Sequence, residues 1–516
     1  MRVSGLSEAT LLAALFAQAS CAQQTHSSTA PVSLLQQARH QMQLQHFAEA
    51  RDLYARAVAL PHAASLPAAD VVSYASALVA TGDAASAQLQ VSKALERSPH
   101  SSELNDAEGT LLAGTGDLEH ALPYFRAAVQ ADSRNAHAVF HLGTALLAMN
   151  DIAAAQPVLE QAVALSPNDF EAQLQLGRVL SMAHDDTNAI SHLHRAITLR
   201  SQDAPPQAIY ALALSLQASG DAVAARPLFD EAVMSLQVAD SSSLTNAALS
   251  HMQTGDAPGA IALYQRALSL GPDNATLRED FGAAYLQQAD LNDAMTQFRA
   301  GLALEPDSAH LHYDLGLALK LKDDLPASVP EFQRAAELDP SLPDPPFTLG
   351  VIFMQQGQFA DAATQLKRAV TLSPSNGDAW ALLGSVLKDA DDPSGAVDAL
   401  KKAIELQPDQ PSLHIQLATL EQQAGDRAAA TNDRRIAAEL SRAAISQQRA
   451  SFALRSGRAL LKDNKLPEAI LQLNTAVQAD PKAAEPHDLL AQAYSRQGKL
   501  ADAALERQRA SALAHP

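Results

Sequence analysis

A proline returns every 34 residues, at Pro272, Pro306, Pro340, Pro374 and Pro408, without slippage. A period of that length marks a chain built from stacked supersecondary units, each hiding its apolar face only against its neighbours. Other residues keep the same interval. Glycines stand at Gly109, Gly143 and Gly177 and again at Gly282, Gly316, Gly350 and Gly384. Small residues recur as Ala121, Ala155 and Ala189, then Ala260, Ala294, Ser328, Ala362, Ala396 and Ala430. A 516-residue chain would ordinarily divide into several compact domains, but a repeat array grows along one axis without enlarging any single core.

The register that fits these columns is 31–64, 68–101, 102–135, 136–169, 170–203, 206–239, 241–274, 275–308, 309–342, 343–376, 377–410, 411–444, 450–483 and 484–516, fourteen units in all. Each reads as two helices. In 275–308, Phe281, Tyr285 and Leu286 form one helical stripe, Ala289-Asp290 a turn, and Leu291, Met295, Phe298 and Leu302 a second stripe. The turn usually pairs Gly with Asp, as in Gly82-Asp83, Gly116-Asp117, Gly220-Asp221, Gly255-Asp256 and Gly425-Asp426. Glycine suits a left-handed helix end, and aspartate caps the free amides of the next helix. Pro123, Pro157, Pro227 and Pro330 place the start of the second helix a few residues upstream, and the 34-residue proline series stops it. The glycines inside the first helix imply a partner helix crossing too closely for a side chain, with the recurring alanines as the expected other side of the contact.

The pattern resembles the tetratricopeptide repeat (TPR), best seen in 377–410 with Trp380, Leu383, Gly384, Leu387, Ala396, Leu400, Ala403 and Pro408. Leu387 and Leu400 replace the family's aromatics, Ala stands for Gly in several units, and Arg434 and Arg507 replace an apolar residue of the second helix. The resemblance implies an all-α, right-handed superhelical solenoid of about fourteen helix-turn-helix repeats, with a concave groove lined by first helices. Twelve repeats would fill 31–444. The five-residue insertion 445–449 is expected to form a joint, and 450–516 a terminal pair of repeats with a polar end cap.

By the same resemblance the ligand surface lies about two, five, nine and twelve residues into each unit. Candidate groove residues are then Phe140, Leu147, Leu174, Arg178, Tyr210, Leu214, Gln217, Leu249, Met252, Leu286, Tyr313, Leu317, Lys320, Phe347 and Met354. They are mostly apolar, which suits capture of an extended or helical peptide through apolar anchors. Packing between neighbouring first helices is the competing account of Phe140, Tyr210, Tyr313 and Phe347. The lysine, asparagine and arginine clamp that some family members use for a C-terminal carboxylate is absent.

Residues 1–22 read as an export signal: an apolar run, Ala9 to Ala19, too short to span a bilayer and followed by small residues. Gln18-Ala19-Ser20-Cys21 resembles a bacterial lipobox with Gln18 in place of its aliphatic residue, so membrane attachment is expected only if Cys21 is lipidated. Residues 23–30 read as a flexible tether. The expected location is therefore periplasmic or secreted.

Net charge of −20 opposes nucleic-acid binding, which needs a cationic face. No phosphate loop, dinucleotide fingerprint, G-x-S-x-G elbow or H-E-x-x-H occurs. His137 and His141 can share a helical face, but no third ligand completes a zinc site, and surface histidines are the expectation. Asp185-Asp186, Asp323-Asp324 and Asp391-Asp392 fall in turns and read as caps. The sequence thus points to a non-enzymatic scaffold without cofactor or metal, binding a protein or peptide. An assembly factor for pili or polysaccharide export is the narrower alternative, and an enzyme without recognisable motifs the least favoured.

Overall fold

The computed structural model describes residues 30–60, 65–200, 203–235 and 240–514; the expected export signal and all but the last residue of the tether lie outside them. Among the described residues there are twenty-seven helices and no strand. They form antiparallel hairpins in two compact units, one ending at Asp273 and the other beginning at Asn274. The first unit runs from the hairpin Ala30–Gln43/Phe47–Val58 to Ser241–Gln253/Ala257–Leu270, and the second from Ala275–Gln287/Leu291–Leu304 to Ala484–Arg496/Leu500–Ala514. None of these helices is long and apolar enough to cross a membrane.

Fourteen hairpins follow directly from the backbone. The fifteenth residue of every unit has positive φ: Gly82, Gly116, Gly220, Gly255, Gly357, Gly425 and Gly498 in seven, and Gln45, Asn150, His184, Ala289, Asp323, Asp391 and Asn464 in the others. One residue later an aspartate caps most of the second helices. Asp83, Asp117, Asp151, Asp185, Asp256, Asp290, Asp324, Asp392 and Asp426 each accept a hydrogen bond from an amide of the first turn. The second helices Ala257–Leu270, Leu291–Leu304, Leu325–Leu338, Phe359–Leu372 and Pro393–Leu406 each end two residues before a proline of the 34-residue series.

Pro123, Pro157, Pro227 and Pro330 sit one turn deeper than expected, in the second turn of their helices. All four lie on the solvent side, where water can satisfy the carbonyl left without its amide.

The glycine column does mark a close helix crossing, but the contact is not with the alanines' side chains. A Cβ at Gly143 would lie 2.7 Å from Leu159, at Gly177 2.6 Å from Leu193, and at Gly384 2.7 Å from Leu400. The occupant is the large side chain at position 24 of the same hairpin. The alanine four residues earlier contributes its backbone carbonyl, at 3.3 Å for Ala189 and Ala396, while its own methyl is buried in the core. Gly316 has the loosest of these fits, 3.0 Å to the Phe332 ring. Gly316→Leu should overpack this crossing and lower stability by about 1–2 kcal/mol. Urea denaturation followed by circular dichroism measures it; an unchanged midpoint would contradict the packing.

A larger correction concerns 445–449. These residues form no joint: they lie inside one 36-residue helix, Arg427–Lys462, which serves as second helix of one hairpin and first helix of the next. The reason is local. From Arg427 to Ser456 there is neither Gly nor Pro, and Ala, Arg, Leu and Gln favour continuous helix. Arg434 and Arg507 also do not enter the core; both are exposed. The residue before each pairs instead with a histidine of the facing helix. His414 Nδ1 is 2.5 Å from Asp433 Oδ1, and His487 Nδ1 is 2.5 Å from Glu506 Oε2, with all four side chains buried.

Position 4 of the first helix is a recurrent polar hinge-pin. Asn105, Gln173, His312 and Trp380 direct a side-chain nitrogen at the carbonyl of Pro99, Pro167, Pro306 and Pro374, at 2.8–3.0 Å. Each proline is the residue six positions upstream that closes the previous hairpin. Gln173 and His312 also reach the second helix of their own hairpin at position 23 of the repeat, His192 and Glu331.

Candidate functional site

Within each unit, successive first helices touch one another as well as their own partners, as do Ser102–Gly114 with Ala136–Ala148 and Ala275–Gln287 with Ala309–Leu321. The inner wall of each unit is therefore made of first helices. Polar links cross it from repeat to repeat. Arg39 holds Asp70 through two bonds of 2.7 and 2.6 Å, Asn246 Nδ2 donates to the Tyr210 hydroxyl at 2.7 Å, and Ser385 Oγ donates to Gln416 at 2.8 Å.

The sequence-derived groove residues fall into three groups. Leu147 and Leu174 are buried and belong to the core. Phe140, Tyr210, Tyr313 and Phe347 are half-buried and pack between helices. Phe140 lies against the Val139, Ala162 and Ala172 cluster; Tyr210 meets Phe229 edge-on at 5.6 Å; Tyr313 lies 5.5 Å from Phe332; and Phe347 joins the cluster around Leu383. The remainder keep part of their surface in solvent. Leu214, Gln217 and Met252 in the first unit, and Leu286, Leu317, Lys320 and Met354 in the second, are half-buried, while Leu249 is 37% exposed. Gln217 Nε2 donates to Gln253 at 3.3 Å. Arg178 donates to Gln175 at 3.1 Å; burial pulls its pKa down, against the pull of the Glu171 carboxylate.

Two features of the wall were not anticipated. His141 is not a surface histidine: it is 4% exposed, with Nδ1 2.8 Å from Asp106 Oδ1 of the preceding repeat. Burial lowers its pKa, but the charge of Asp106 and the hydrogen bond outweigh burial and leave it raised. His137 stands 6.5 Å from the His141 ring, and among the described residues no set of three His, Cys, Asp or Glu side chains is placed to hold a metal ion.

The second feature is a carboxylate group in the second unit. Asp280 and Asp314 occupy the same position in successive repeats, with Glu279 beside them. Burial, then repulsion from Glu279, pushes Asp280 up to about 6. Burial, then Glu279 and Asp280, pushes Asp314 up to about 7. Their 34-residue separation was the available signal, since equal positions in adjacent repeats face each other.

Two tetratricopeptide-repeat models match the sequence, one over residues 75–136, 210–275 and 347–411 and the other over 112–175 and 251–320. A third model, described as TPR repeat, matches 457–498. Together with the fourteen hairpins these matches decide the family. The chain is a tetratricopeptide repeat protein. No curated protein matches it. Among solved structures, the TPR protein resembles a tetratricopeptide repeat protein from Parabacteroides merdae at 15% identity over 49% of this chain and 98% of that one, with a TM-score of 0.34. It also resembles the Cut9-Hcn1 hetero-tetramer structure of the APC/C at 14% identity, covering 90% of this chain and 96% of that one, with a TM-score of 0.33. MamA from Desulfovibrio magneticus RS-1 matches at 22% identity over 33% of this chain and 97% of that one, with a TM-score of 0.31. Repeat proteins of this family are typically protein-interaction scaffolds.

Proposed function

We propose that the TPR protein is a non-enzymatic scaffold of the cell envelope that takes a segment of a protein partner along the inner wall of its first helices. The observation carrying this reading is that Leu249 and Leu317, each the ninth residue of its repeat, and Leu286 and Met354, each the twelfth, remain partly in solvent. Apolar side chains left partly uncovered at two recurring positions of the repeat suit the spaced anchors of a polypeptide. In the second unit, Glu279, Asp280 and Asp314 lie on the same two helices as Leu286 and Leu317, which favours a segment carrying lysine or arginine among its apolar residues. Export rests on the apolar run at Ala9 to Ala19.

The test is site-specific photo-crosslinking in cells. A benzoylphenylalanine placed at Leu249 or Met354 should yield discrete crosslinks to another polypeptide. The same group at Val223 or Met234, both more exposed but on second helices, should not. Equal yields from all four sites would remove the inner wall as the binding surface.

A further inference from the structure

The fused helix Arg427–Lys462 carries a surface unlike the rest of the chain. It holds eight basic side chains against two acidic ones, Asp433 and Glu439, in a chain of net charge −20. Arg434, Ala438, Arg442, Ile445, Arg449 and Phe452 follow one another at steps of three and four residues and are all exposed. That spacing places them on one face, flanked on one side by the buried Ala430, Asp433 and Ala437 and on the other by the buried Ala453. Ile445 is 67% exposed and Phe452 66%. They stand two turns apart, about 10 Å along the axis. Arg435 and Arg458 are engaged by Glu439 and Glu485, but among the described residues Arg434, Arg442 and Arg449 make no ion pair.

We propose that this face docks an acidic amphipathic helix of a partner protein. Two apolar side chains of that helix, two turns apart, would cover Ile445 and Phe452, and flanking carboxylates would meet Arg442 and Arg449. A straight helix with exposed residues at three- and four-residue steps offers the seam into which a second helix fits. Guanidinium groups without an ion-pair partner suit pairing with carboxylates, and Arg442, whose Nε donates to the Ala438 carbonyl at 3.1 Å, keeps its two terminal nitrogens for it. An anionic membrane or a nucleic acid is the poorer complement. Such extended polyanions would also confront the strongly negative remainder of the chain, whereas a single helix meets only the stripe. This surface includes none of the candidate groove residues, although Phe452 lies at the start of the stretch that serves as a first helix.

The experiment uses the full chain and a labelled synthetic helical peptide with two leucines seven residues apart, flanked by glutamates. Fluorescence anisotropy should show saturable binding that weakens as salt is raised. R442E/R449E should bind about tenfold more weakly or worse, and F452S should also lose affinity. Because these side chains are exposed, all variants should keep the parental thermal melt. Substituting Leu249 and Met354 by serine should leave this binding intact, which separates it from the inner-wall reading. Undiminished binding by R442E/R449E, or equal binding of a peptide with glutamine for glutamate, overturns the proposal. So does arginine-dependent pelleting with phosphatidylglycerol vesicles in the absence of peptide binding.

Discussion

Phe298→Ala is expected to destabilise the second unit by about 3–5 kcal/mol, the largest effect of any single truncation considered. The Phe298 ring is fully buried and packs with Ala275, Met295, Leu311 and Leu315. It also fills the space above Gly282, where a Cβ would collide with it. Removing the ring leaves a void at a close crossing, beside a glycine that has no side chain to fill it. The complement is a size swap. Gly282→Leu alone should overpack, but in the Phe298→Ala background it should restore part of the lost stability, because the new side chain enters the vacated space. Urea unfolding of the four proteins in the cycle measures this coupling. Strictly additive effects would mean that the glycine and the ring do not share one site.

The second large effect concerns pH. Asp314 has a folded-state pKa of about 7, raised chiefly by burial and further by Glu279 and Asp280, against an unfolded value near 4. A carboxyl whose pKa is raised on folding binds its proton more tightly in the native state. Its contribution is fully present below the unfolded value and is lost as pH rises through the folded value. Asp314→Asn keeps the shape and cannot ionise. The variant should match the parent near pH 4 and exceed it by about 2–3 kcal/mol near pH 8, after allowance for the part of the side chain that water reaches. The advantage should grow across the interval between those limits. Asp280, with a pKa of about 6, should leave a smaller slope in the variant, ending about one unit lower. An advantage independent of pH, or none at pH 8, would show that the carboxylate is not held in the protonated form.

Much of the architecture was legible because each repeat punctuates itself. The proline series located the ends of second helices to within two residues, and the aspartates located their starts. The turn was legible in function but not in composition. Seven of the fourteen left-handed positions lack glycine; five of these hold Asn, Asp or His, which enter that region more readily than most, but Gln45 and Ala289 have no special ease there. They persist because the helices on either side over-determine the turn. The fused helix was misread because an insertion between two repeats suggested a break. The informative sign was the missing Gly and Pro after Arg427. Side-chain contacts between helices were the hardest to foresee. Gly143 against Leu159, and His141 against Asp106, depend on how side chains lean along their helices, which a periodic pattern does not specify. The inner wall was legible only as a set of positions. Leu147 and Leu174 turned inward, and Asp280 and Asp314 lay one residue beyond the positions considered.

The side chains of Asn105, Gln173, His312 and Trp380 each stitch a hairpin to the proline that closes the one before it. A bond of this kind belongs to neither repeat alone and is lost when either melts. Where such stitches occur, adjacent repeats should lose their order together, so a disturbance at one hairpin is felt by its neighbour before any partner is bound. A scaffold wired in this manner yields in blocks rather than bead by bead.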